Sequence, residues 1–227
     1  GKAKPVNQHI DSSRAKQVKE NRSKLASITD AILMCGRQGI ALRGHRDDSS
    51  DVVNDPDQNH GNFLALLQYR ARGGDSILEH HLNSYAGNAR YTSKTIQNEL
   101  ITICGDVIRD SILEEIREAR FYAVIADEAT DSSNSEQLAI SVRYVDSNSN
   151  PQECFLGFSE FSSGVSGKVI AENIIKNLSN WQLELTDLRG QAFDGAGAMA
   201  GATTGAAARI QQHNSSTPRL CLPTAPP

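Results

Sequence analysis

The hydrophobic period changes at residue 121, and this change limits the fold more than any other feature of the chain. From Ser93 to Arg120, apolar residues such as Ile96, Leu100, Ile103, Val107 and Ile112 recur near every 3.6 positions. That spacing predicts one long amphipathic helix, with Gly105 as its expected weak point. Residues 121–127, FYAVIAD, are then almost continuously apolar, as in a central strand buried on both faces. QLAISVRYVD (137–146) alternates and predicts a strand with one more polar face. SNSNP (147–151) predicts a hairpin turn, and QECFLGFSEF (152–161) a third strand. SGKVIAENIIKNLSNW (166–181) has a helical apolar stripe, LTDLRGQAFD (185–194) reads as a fourth strand, and 195–213 is a Gly/Ala-rich turn leading into a helix. The order is β-β-β-α-β-α. Three successive strands predict an antiparallel meander, and a right-handed crossover returns the fourth strand parallel to the first.

The half before residue 119 reads as helical. Helices are expected over 11–43, opened by Ser12 or Ser13, over 62–71, and over 75–82, opened by Asp75 and Ser76. Between them, 44–60 is rich in turn formers and aspartates and reads as an exposed acidic loop flanked by His45 and His60. His80 and His81 are neighbours, so on a helix they diverge and make a poor ligand pair; both read as surface histidines. The expected organisation is a helical region over 1–118, an α/β region with an incomplete mixed sheet over 119–213, and a disordered tail over 214–227 that holds four of the seven prolines.

Charge is unevenly spread. Residues 1–46 carry ten Lys and Arg against three Asp and Glu, a net of +7, while the other 181 carry 13 against 24, a net of −11. A basic leader on an acidic body points to nucleic acid or to a solvated helix face. Arg14, Lys16, Lys19, Arg22 and Lys24 are the candidate phosphate contacts. The four cysteines are far apart with no C-x-x-C pair, which argues against a zinc ribbon and a disulfide framework. No apolar run approaches the roughly 18 residues of a membrane span, and no membrane association is expected.

The apolar run of the first strand ends in Asp127 and Glu128, with Asp131 close behind, and the fourth strand ends in Asp194. Carboxylates at the ends of adjacent parallel strands face each other, and like charges so placed repel unless they share a proton or hold a cation. Hard oxygen ligands suit Mg²⁺ or Mn²⁺. Two such ions about 4 Å apart activate a water and stabilise a leaving oxygen in phosphodiester cleavage. The alternative is that both aspartates cap the turns that follow them.

ALRGHRDD (41–48), FYAVIADEATDSSNSEQLAISVRYVD (121–146) and LRGQAFDGAGAMAG (188–201), with the long spacings between them, resemble the transposase-like domain of hAT-derived proteins of the MYM-type zinc-finger protein 1-like group. The resemblance runs to about residue 213. It implies a ribonuclease H-like fold, with Asp127 as the first acid of a catalytic triad, Asp194 as the second, and Mg²⁺ or Mn²⁺ as the cofactor. It also implies DNA as a partner, other proteins or a second copy of the chain as further partners, and a nuclear location. The family pattern continues with a third acid, usually Glu, whereas no Asp or Glu follows Asp194 here. The expectation is a catalytically incomplete chain, missing the later strand and helix of the fold. The rival is a domesticated, non-catalytic DNA- or protein-binding scaffold in transcriptional regulation. GAGAMAG (195–201) also resembles a dinucleotide-binding turn, but the acid expected about 20 residues on is absent. Close packing of the following helix on the sheet is the preferred role of its glycines.

Overall fold

The computed structural model describes residues 6–44, 60–84, 90–130, 135–161, 166–194, 197–214 and 219–221. The chain divides into two compact units, residues 1–106 and 107–227.

The first unit is helical. Helix α1 (Val6–Gln38) begins five residues earlier than its sequence pattern and ends where Gly39 takes a left-handed φ of 63°. Helices α2 (Asn62–Arg72) and α3 (Ser76–Ser84) follow, and α4 (Lys94–Ala119) starts in this unit and ends in the second. Gly105 does not interrupt α4. Ile28, Ala31 and Ile32 of α1 pack with Phe63, Leu64 and Leu67 of α2 and with Leu78 of α3 in one apolar cluster. Each fully buried large side chain there contributes about 1.5–3 kcal/mol.

Asp75 locks three of these elements together. Its carboxylate accepts from the Ser27 hydroxyl at 2.6 Å, the Arg70 guanidinium at 2.9 Å and the Leu78 amide at 3.0 Å. It thus caps α3, as the sequence suggested, while tying α1 to α2. Desolvation pushes its carboxyl upward, but those hydrogen bonds and the Arg70 charge outweigh this and hold it below the usual carboxylate range. His81 departs from the expectation of a surface histidine. It is buried, its Nε2 lies 3.0 Å from the Arg90 carbonyl, and its ring stacks on Tyr91. Burial lowers its pKa. His80 is exposed, so the two do diverge. Apart from Gly44 and His60, which is buried, the expected acidic loop and His45 lie outside the described residues.

The second unit carries the sheet. Strands β1 (Tyr122–Thr130), β2 (Glu136–Val145) and β3 (Pro151–Glu160) form the expected antiparallel meander. Helix α5 (Gly167–Asn180), capped by the Ser166 hydroxyl accepting from the Val169 amide, crosses to β4 (Leu188–Phe193). Strand β4 lies parallel to β1, as read from the sequence. The first residues assigned to that strand, Leu185–Asp187, form a 3₁₀ turn instead. The Gly/Ala-rich helix is two helices, α6 (Gly197–Ala200) and α7 (Ala206–His213). A fifth strand, β5 (Arg219–Cys221), pairs parallel with β4 and gives the order β3-β2-β1-β4-β5. Within the expected disordered tail of 214–227, the described residues Arg219–Cys221 form a strand. Three residues are too few to show an alternating pattern. The fold class stands as read: an α/β chain with a helical first half and a mixed sheet.

One face of the sheet is the core. Tyr122, Val124 and Ala126 of β1 pack with Leu138, Ile140 and Val142 of β2, and α5 covers them with Ile170, Ile174 and Leu178. On β4, Gln191 is buried and donates from Nε2 to the Ala207 carbonyl at 3.0 Å, which fastens α7. Of the glycines of 195–201, Gly201 approaches the turn between α6 and α7 rather than the sheet, since an added Cβ would stand 2.6 Å from the Gly197 carbonyl oxygen and 3.2 Å from the Gly205 amide nitrogen. A Cβ on Gly167 would stand 2.5 Å from the Thr204 carbonyl oxygen and 2.6 Å from that of Ala198. Gly197, by contrast, faces open space.

Two outcomes follow from this packing. Asp75→Ala should cost about 2 kcal/mol in denaturant unfolding, because it removes a cap and leaves hydrogen-bonding partners unmatched. Since the folded pKa of Asp75 is depressed, its contribution is complete above the unfolded value of about 3.9 and fades as pH falls through the folded one. Wild type and variant should therefore converge in stability below about pH 4. Gly167→Ala should cost about 1–3 kcal/mol, because the clash is with backbone and α5 must shift; thermal unfolding measures it.

Candidate functional site

The carboxylates gather where the parallel ladder runs out. The last β1–β4 pair is Ala126↔Phe193, and the next residue on each strand is an aspartate, Asp127 and Asp194. Partners across a parallel ladder share a face, and side chains alternate along each strand. Asp127 and Asp194 therefore continue the rows Ala123↔Gly190 and Ile125↔Ala192, on the face opposite the core. Asp127 is exposed and Asp194 half-buried.

Strand β1 does not stop at Asp127, as the sequence suggested. It stays paired with β2 through Thr130↔Glu136, four residues beyond its last pair with β4. Glu128 is thus a strand residue, on the core-side row. At the end of the sheet both rows are within electrostatic reach. Desolvation raises the Glu128 pKa, and the charges of Asp194, Glu136 and Asp127 raise it further. Asp131 lies outside the described residues.

The donor set suits a hard divalent cation, since Asp127 and Asp194 are oxygen ligands on neighbouring rigid strands. Among the described residues, however, no three His, Cys, Asp or Glu side chains group closely enough to hold a metal ion. Two carboxylates are brought together and a third is not.

The five cations of α1 are not gathered on one face. At 100° per residue, positions 14, 16, 19, 22 and 24 encircle the helix. Lys16 also lies 3.9 Å from Glu20.

The sequence reading passed over two aromatics on the acid face. Across the sheet, Asp127 pairs with Ala139 and Ala139 with Phe158, while Ile125 pairs with Ser141 and Ser141 with Phe155. Phe155 and Phe158 are three residues apart and would point to opposite faces of a regular strand. The register shift at Ile140/Ser141 leaves Leu156 as an extra residue, buried in the core, and so turns both rings to the acid side. Only the bulge makes them neighbours, and its signal is absent from the hydrophobic pattern.

Comparison with known proteins agrees with this architecture. Residues 2–205 match the family model described as the ZMYM1/FAM200 RNase-like domain, DUF4371. The chain is 32% identical over 177 residues to the human protein named 52 kDa repressor of the inhibitor of the protein kinase, covering 77% of this chain and 22% of that one. The mouse protein of the same name gives the same identity over the same length, with 23% of it covered. The chain thus spans less than a quarter of the curated relatives it matches. With the matched region extending over both the helices and the sheet, the chain belongs to the ZMYM1/FAM200 RNase-like domain family.

Proposed function

We propose that Asp127 and Asp194 are two of the ligands of a divalent-metal site of the kind that cleaves and transfers DNA strands in hAT-type transposases. In this chain the site binds an ion and a nucleic acid without cutting. The observation that supports the reading is the adjacency of two aspartates at the exit of neighbouring parallel strands, on a sheet of RNase-like order. A bound Mg²⁺ or Mn²⁺ would supply Lewis acidity and a water of lowered pKa. The carboxylates would orient the ion, and the rigid strands would limit their motion. The absence of turnover is proposed from the ligand count, since the described residues hold no three-membered ligand group. The same observation favours a second reading, a non-catalytic scaffold that binds DNA or protein with no use for the ion. The relatives' name describes a repressor, which suits a nuclear location under either reading.

Manganese titration followed by electron paramagnetic resonance separates the two. The metal-site reading expects Mn²⁺ binding that Asp127→Asn or Asp194→Asn weakens at least tenfold, with no nicking of supercoiled DNA by either form. Equal Mn²⁺ binding by wild type and both variants would leave the scaffold reading standing. Metal-dependent nicking abolished by Asp127→Asn would show that two acids suffice.

Glu128 offers an independent measure of the crowding. Its folded pKa is raised, so its charged form costs stability above that pKa, and the cost disappears as pH falls towards the unfolded value of about 4.3. Glu128→Gln should raise the melting temperature at pH 7 by about 1–2 °C, allowing for solvent screening, and the gain should vanish near pH 4. Saturating Mg²⁺ should shrink the gain at pH 7.

A further inference from the structure

We infer that the acid face of the sheet is a track for a single nucleic-acid strand, with Phe155 and Phe158 as the platform on which unpaired bases stack. The inference rests on the strand-cleavage reading above for the class of ligand, and specifies the form in which that ligand is taken: unpaired rather than as a closed duplex.

Four observations carry it. First, the two rings are neighbours, with centroids 4.9 Å apart and planes tilted by 59°. They are also 49% and 61% exposed, unusual for phenylalanines in an otherwise well-packed sheet. A bulge is needed to place both on this side, and bulges of this kind re-aim side chains beside functional sites. Second, the strand between the rings and Asp127 presents small side chains on this face, Ala139 and Ser141 of β2, with Ile125 of β1 beside them. Phe158 lies two strands from Asp127 in register, about 10 Å at the usual strand spacing. That distance lets a stacked base and a phosphate over the acids belong to one strand.

Third, the face is electrically polarised along β1. Arg143 shares the row of Ala123, four residues and about 13 Å before Asp127. Two more residues back, the guanidinium groups of Arg189 and Arg120 lie 4.2 and 5.1 Å from the centre of the exposed Phe121 ring. Arg143 and Arg120 have acidic partners, Glu153 at 3.9 Å and Asp187 at 3.1 Å. Arg189 donates to the carbonyls of Thr186 and Leu188, and those bonds do not cancel its charge. One end of the face carries three guanidinium groups against two carboxylates, and the other carries the aspartates. Fourth, the length fits: about 20 Å from Phe121 to Asp127 is roughly six phosphates of a stacked strand, within the site sizes of sheet-based single-strand binders. A duplex would present its paired bases edge-on and leave the phenyl faces unused. A purely apolar partner would supply no counter-charge to Arg189, which donates to carbonyls.

The test is fluorescence anisotropy of a labelled oligothymidine of about 12 nucleotides with the 227-residue chain, in EDTA. Phe155→Ala and Phe158→Ala should each weaken binding roughly tenfold, as loss of a base–aromatic stack does. Phe158→Leu, which keeps apolar bulk, should weaken it similarly, while Phe158→Trp should retain it. Arg143→Ala should weaken binding and lower the slope of log affinity on log salt by about 0.7. Affinity for a duplex of the same length should not respond to the phenyl substitutions. Unchanged single-strand affinity in both Phe→Ala variants, or no binding by the wild type, overturns the inference. So does a dimer in sedimentation velocity that Phe158→Ala dissolves, which would make the face a contact between copies. Because EDTA removes the ion, binding retained by Asp127→Asn separates this inference from the metal-site reading, and either can fail alone.

Discussion

Everything at the candidate site depends on the parallel ladder between β1 and β4. Hydrogen bonding along five paired positions fixes which residues of two distant segments meet. In a sheet the register is unforgiving, since a slip of one residue sends every side chain to the other face. The core row of Tyr122, Val124 and Ala126 therefore determines where Asp127 points, although that carboxylate has no part in the core. Helix α5 completes the constraint. It buries Ile170, Ile174 and Leu178 on the core face and delivers the chain to β4 in the same direction as β1. Apolar packing on one side of the sheet sets the positions of charges on the other.

The electrostatics run against this packing. Asp127 and Asp194 end adjacent strands, and Glu128 beside them has a pKa raised first by desolvation and then by the charges of Asp194, Glu136 and Asp127. An arrangement that costs stability in the absence of a counter-charge is characteristic of sites kept for binding. In the first unit, Asp75 shows the opposite case. There a carboxylate is matched by a hydroxyl, an amide and a guanidinium, and its pKa falls. The two sites carry the same functional group with opposite consequences: hydrogen bonds and a guanidinium lower the pKa of Asp75, while desolvation and neighbouring carboxylates raise that of Glu128.

Much of the architecture was legible because it follows from periodicity. The end of the 3.6-residue period at Phe121, the meander and the parallel return of β4 come from apolar patterning, but the continuous run of β1 read as buried on both faces, whereas only its row of Tyr122, Val124 and Ala126 is fully buried. What the pattern missed has common physical roots. Strand β5 has three residues, too few for alternation. His81 is buried because its ring is accepted by Tyr91 and the Arg90 carbonyl, partners brought by a loop that no helical spacing foretells. The continuation of β1 to Thr130 is decided by pairing with β2, since Asp127 and Glu128 read locally as an ending. The bulge at Leu156 is a tertiary adjustment that exchanges regular pairing for two rings on one face. At the site, the two aspartates were identifiable by type and position. Their rows, and the aromatic neighbours of those rows, required the register.

The brevity of β5 has a dynamic consequence. Among the described residues, the outer edge of β4 is paired at three positions, Gln191↔Arg219 to Phe193↔Cys221, immediately before Asp194. A seam so short is among the first parts of a sheet to open, at a free energy well below that of global unfolding. Amide protons along that margin of β4 then exchange with solvent sooner than those it shares with β1. The second aspartate directly follows this short seam, while the first is held in register by β2, at Asp127↔Ala139.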